Sequence, residues 1–146
     1  MSLAMDAVAL NAFLRDDFPQ CPDGVSVEAV TADGATLRLR IEDQHLRPGG
    51  TVSGPTMFML ADVAVYVAIL ARIGPVALAV TTGASIDFMR KPAGGRDLLA
   101  ECRLLKLGRQ LAVGDVLIRS DGDAAVVARS TMTYAIPPRA VADHSR

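Results

Sequence analysis

One carboxylate, Asp62, stands in the stretch PGGTVSGPTMFMLADVAVYVAIL, residues 48–70, whose other side chains carry no charge. An ionised carboxyl group among apolar neighbours is costly unless it is hydrogen-bonded, paired with a cation or neutralised. Two readings follow. Asp62 is either structural, accepting from a backbone N–H or from a hydroxyl such as Thr81, or lying on an exposed stripe; or it is the acid/base or nucleophile of a cleft. Upstream, TVSGPT opens the same helix at Gly54. The first N–H groups of a helix lack intrahelical partners, and with the positive end of the helix dipole they can hold a developing oxyanion. Gly54 lets a ligand approach the backbone, although a turn glycine with Ser53 as a plain helix cap fits the same residues.

Spacing limits how the two combine. Gly54 and Asp62 are eight residues apart, which on one helix is about 12 Å. One reacting carbon cannot touch both within a chain. If both act on it, they come from different subunits, and the site lies at a two-fold interface with two copies per dimer.

The elements that must position these residues follow from the patterning. Apolar residues recur helically from Ala4 to Asp17 until Pro19 stops them. Val25–Val30, the turn at 32–34 and Ala35–Glu42 form a hairpin in which Leu37, Leu39 and Ile41 alternate with Arg38, Arg40 and Glu42. A Pro- and Gly-rich loop, residues 45–53, leads to a long helix opened by Gly54-Pro55 and ended by Gly74-Pro75. Four strands follow, Val76–Arg90, Leu98–Gly108, Gln110–Ser120 and Ala124–Ile136, and their Gly-rich turns imply an antiparallel meander. The expected fold is α+β: a long central helix wrapped by a curved antiparallel sheet. It is a single domain over residues 1–146, with an N-terminal helix over about 4–18, a core over about 25–137 and a mobile tail over 138–146.

Composition narrows the function. The 146 residues are 51% apolar and 21% charged with a net charge of −1, so the chain folds and has no basic run for a nucleic acid. The N-terminus lacks a secretory pattern because Asp6 interrupts its apolar stretch. The apolar run Thr56–Ala71, broken by Asp62, is too short to span a bilayer, and no membrane partner is expected. Cys21 and Cys102 are too far apart in sequence for a metal motif and fit free thiols of a reduced cytoplasm. No metal is expected. His45 is read as a surface or loop residue, because one histidine without a placed partner is weak support for a base.

GGTVSGPTMFMLADVA, SIDFMRKPA and TMTYAIP, in this order and spacing, resemble the hotdog-fold acyl-CoA thioesterases, more closely the phenylacetic acid degradation type. The likeness runs from about Val25 to Pro137. It implies hydrolysis of an acyl-CoA thioester, with CoA as part of the substrate and no other cofactor, by a cytoplasmic homodimer or homotetramer. Carried over by position, Asp62 is the general base or nucleophile, and Gly54 is the N–H donor to the thioester oxygen. Thr81, with Thr82 as its near alternative, assists the water across the interface. Relatives often have His-Gly-Gly where Ser53-Gly54-Pro55 stands here, and Asn or Gln where Arg47 stands. Arg47 then either pairs with Asp62 or faces solvent. Arg90, Lys91, Lys106 and Arg109 bracket strand ends near the expected mouth and either meet CoA phosphates or are solvated turn charges. Met57, with Phe58 and Met59, lines an acyl pocket or fills the core. A medium-chain or aryl acyl group fits walls of this kind. The alternatives are an acyl-CoA binding protein without hydrolysis and, further off, a hydratase or dehydratase relying on His45.

Overall fold

A computed structural model describes residues 3–138. Its axis is helix α2, Gly54–Ile73. Ser53 caps it, its Oγ accepting from the Thr56 N–H at 3.3 Å, and Pro55 occupies the first turn. Gly74 closes it at φ +94°, a conformation that side-chain-bearing residues rarely adopt. α2 is apolar on nearly every face, and such a helix must be enclosed. Leu60, Val65, Val67, Ile69 and Leu70 are fully buried.

The enclosing layer is one six-stranded antiparallel sheet. Its strands are β1 (Val25–Val30), β2 (Gly34–Leu39), β3 (Val80–Phe88), β4 (Leu98–Leu107), β5 (Leu111–Ser120) and β6 (Val126–Ala135). Their spatial order is β1-β2-β4-β5-β6-β3. The α+β expectation of a long helix wrapped by a curved sheet therefore holds. Helix and sheet approach closely at Gly114 on β5, where a Cβ would stand 3.1 Å from both methyls of Val65. Helix α1 (Ala7–Asp16) packs against β1, and the Asn11 side chain both donates to and accepts from the Val27 backbone.

Three expectations change. The four C-terminal strands are not one meander: β4, β5 and β6 are consecutive neighbours, but β3 crosses to the far edge beside β6, and β4 pairs with β2. β3 starts at Val80, because residues 75–79 turn, with the Ala79 N–H donating to the Val76 carbonyl and the Tyr66 hydroxyl to the Ala77 carbonyl. The 20-residue α2 is long and apolar enough to cross a membrane, contrary to the shorter run expected, but here the sheet covers most of it. The tail expected over 138–146 lies outside the described residues from 139 on.

β3 is an edge strand with Val80 56% and Phe88 51% exposed, so apolar side chains and unpaired backbone groups face outward along it.

Candidate active site

Asp62 is half-buried on α2, two turns from the helix start. Its Oδ1 accepts two hydroxyl hydrogen bonds, from Thr81 Oγ1 at 2.5 Å and from the Tyr134 phenol at 2.7 Å. The phenol also lies 3.0 Å from the Asp62 carbonyl oxygen, so its one proton is shared between side chain and backbone. Thr81 and Tyr134 are direct partners across β3 and β6. The next pair is Gly83 with Thr133, which leaves Thr82 as the extra residue of a bulge. The bulge separates the two threonines: Thr81 turns to Asp62, while Thr82 is exposed and donates to the Thr133 carbonyl at 3.4 Å.

Tyr134 is 3% exposed. Burial pushes its phenol well above the ordinary value, and the neighbouring Asp62 charge adds to this. It therefore stays neutral at physiological pH and remains a donor to the carboxylate. Asp62 opens into a cavity of about 560 Å³ walled by Phe18, Tyr66, Val80, Thr81 and Tyr134 among others. Phe18 and Tyr66 meet edge to face at 5.5 Å, giving this cavity an aromatic side.

Gly54 belongs to a different cavity, of about 380 Å³, lined also by Arg47, Met57, Phe88, Arg90 and Lys91. No residue lines both cavities. The two ends of the helix segment singled out by the sequence thus face separate openings. β3 runs between them, Val80 and Thr81 at the Asp62 opening and Phe88 at the Gly54 opening.

The other expected residues distribute as follows. Arg47 is exposed beside Gly54, and among the described residues no ion pair joins it to Asp62. Ser53 Oγ is engaged in the cap, 2.8 Å from Thr56 Oγ1. Met57 is buried and contributes to the Gly54 cavity; Met59 packs on the core and Phe58 is exposed, neither lining the two cavities. Arg90 and Lys91 flank Gly54. Lys106 and Arg109 are instead exposed at the β4–β5 turn, next to the opposite end of β3, since the Ile136 N–H donates to the Gln110 carbonyl beyond the Val80–Ala135 pair. The four cations do not share one mouth within a chain.

One expectation is corrected in part by contacts. His45 is not at the surface: it is 6% exposed in a 3-10 turn, Asp43–His45, where its Nδ1 accepts from the Glu42 N–H at 2.9 Å and its carbonyl accepts from the Ser53 N–H. It braces the loop before α2. Thr81 donates to Asp62 within one chain, as the structural reading of that carboxylate allows. Tyr134 was quoted in a motif but given no role. Its signal was chemical: a tyrosine at an inward strand position needs a partner for its hydroxyl. Both cysteines are free, as the sequence led one to expect.

Residues 49–135 match the family model of the thioesterase superfamily. A thioesterase structure from Silicibacter sp. TM1040, itself assigned only provisionally, is 59% identical; the match covers 94% of this chain and 96% of that one at a TM-score of 0.87. Zebrafish thioesterase superfamily member 2 shares the fold at 23% identity, 92% and 100% coverage and a TM-score of 0.80. A mutant of the phenylacetic acid degradation protein PaaI from Thermus thermophilus is 26% identical, with 84% and 100% coverage and a TM-score of 0.69. No curated protein sequence matches the chain.

Proposed function

The chain belongs to the thioesterase superfamily, and from that premise we propose that it hydrolyses an acyl-CoA thioester to CoA and a free carboxylic acid. The observation that carries this reading is the half-buried Asp62, held by Thr81 and Tyr134 at the mouth of an apolar cavity while its second oxygen accepts no hydrogen bond from the described residues. That oxygen either takes a proton from water as general base or attacks the thioester carbon directly. In the first course water oxygen bonds the acyl carbon, the C–S bond breaks, and the proton passes through Asp62 to the CoA sulfur. In the second, Oδ2 bonds the acyl carbon as the C–S bond breaks, CoA leaves as thiolate and takes a proton from solvent, and water cleaves the resulting anhydride to the free acid and Asp62. The Gly54 N–H of the other subunit holds the oxyanion.

The dimer rests on β3. Two copies of this edge strand, paired antiparallel about a two-fold between Ala84 and Ser85, bring the Thr81 end of one to the Phe88 end of the other. The separate Asp62 and Gly54 cavities then join into one site, twice per dimer. Phe18, Tyr66 and Val80 suit an aryl or medium-chain acyl group, and Arg47, Arg90 and Lys91 beside Gly54 suit the CoA phosphates. A cytoplasmic homodimer, or a homotetramer built from it, acting without further cofactor fits this reading. The hydratase alternative finds no histidine base among the described residues, since His45 lines neither cavity and its Nδ1 is occupied.

A thiol-release screen across acyl-CoA chain lengths and aryl types tests the proposal, with Asp62→Asn as blank. Removing a catalytic carboxylate lowers turnover by about a hundredfold or more. Equal rates in Asp62→Asn and parent overturn the assignment.

A further inference from the structure

We propose that Tyr134 is a positioning residue of this centre: together with Thr81 it occupies Oδ1 of Asp62 and so presents Oδ2 alone to the reacting water or thioester. The inference rests on the thioesterase reading above. A carboxylate on a helix rotates about χ2 and can exchange its two oxygens. Here one oxygen receives hydroxyls at 2.5 and 2.7 Å from two neighbouring strands, β3 and β6. The same phenol lies 3.0 Å from the Asp62 carbonyl, which ties the side chain's orientation to the helix backbone. Its ring is packed on Tyr66 with centroids 6.2 Å apart, so the hydroxyl itself is fixed. Because Tyr134 is neutral and buried, it gives a hydrogen bond to the carboxylate without bringing a compensating charge. Its ring also walls the acyl cavity, while its hydroxyl is turned to Asp62 and acts on the reaction through that carboxylate.

Tyr134→Phe keeps the ring and deletes the donor. Turnover of the best acyl-CoA falls about tenfold with KM within about twofold, since the lost contact orients the reacting group and leaves substrate contacts alone. A merely structural tyrosine would not move kcat apart from KM. The contact is read without turnover by thermal unfolding of Tyr134→Phe, Asp62→Ala and the double variant, where the two Tm losses are non-additive. Parent-like kcat in Tyr134→Phe, or additive Tm losses, overturn the inference. An inactive parent with non-additive losses sinks the thioesterase reading and leaves the contact standing. Should Tyr134→Phe not fold, Tyr134→His, which restores a donor, must recover both fold and the parent's kcat, and failure to do so refutes the role.

Discussion

Gly54 and Asp62 occupy one helix yet face two cavities that share no lining residue. At about 1.5 Å per residue their separation exceeds what one thioester carbon can bridge. On the proposed thioesterase reading, each chain then carries half of two sites.

Complementation tests this directly. Gly54→Val drives a branched side chain toward Phe88, whose ring is already 3.2 Å from where a Cβ would sit, and closes the approach to the helix N-terminus. That variant and Asp62→Asn are each expected to be inactive. Unfolded together and refolded as a mixture, half of the dimers are hybrids with one intact site, so about a quarter of parental thiol release returns. No recovery in a mixture shown to contain hybrids would mean that the site lies within one chain.

The shared site also requires the β3 edge. Ala84 is exposed at the middle of that strand, with only β6 beside it. Ala84→Lys places a charge where a second β3 would pair, the means by which edge strands avoid each other. Light scattering is expected to show monomer, and activity to fall at least about tenfold as the Gly54 and Asp62 halves separate. A monomer with parental activity, or an undisturbed dimer, contradicts the β3 arrangement.

Much of this was legible in residue order. The cap at Ser53, Pro55 and the positive-φ Gly74 marked α2, alternation marked β2, and β1 occupies the expected Val25–Val30. Periodicity carries no information about which strand lies beside which, so the move of β3 to the far edge was invisible. The Asp62 partner Thr81 could be nominated because a buried carboxylate needs a donor. Tyr134 could not, because its reach to Asp62 depends on the β3–β6 register and on the Thr82 bulge, both set by long-range pairing. His45 read as a surface or loop residue, and its burial was hidden for a similar reason: its partner, the Glu42 N–H, appears only once the 3-10 turn has formed.

Gly114 tests how tightly the sheet grips α2. Its missing Cβ is replaced by Val65, whose two methyls would stand 3.1 Å from an added carbon, with Cys102 Sγ at 3.3 Å. Val65 is β-branched on a helix and has one strongly preferred rotamer, so it cannot swing away. Overpacking costs about 1–3 kcal/mol, and the entropy gained on replacing glycine returns less than about 1 kcal/mol. Gly114→Ala therefore lowers stability by about 1–2 kcal/mol in urea unfolding, without changing the dimer. A stabilised Gly114→Ala protein would mean that helix and sheet are more loosely packed than described.

Alkaline pH should weaken the fold through its buried acids. Burial, with Asp115 and Asp33 adding, pushes the Cys102 thiol from 9.0 up to about 12, and burial with Asp23 pushes Cys21 up to about 11. In the unfolded chain both thiols ionise near their ordinary value of 9.0. Below that pH both states hold the protons and these groups contribute no slope. Between about 9 and 12 the unfolded chain binds fewer protons than the folded one, so stability falls as pH rises. The slope from Cys102, which is 6% exposed, approaches about 1.4 kcal/mol per pH unit. Tyr134, held neutral by burial and by Asp62, adds to the loss above 10.0. Urea unfolding at stepped alkaline pH measures it: Cys102→Ala is expected to be less stable than the parent near neutrality, yet to lose less stability per pH unit above 9. Parallel curves for the two proteins would show that the Cys102 thiol ionises as readily in the fold as out of it.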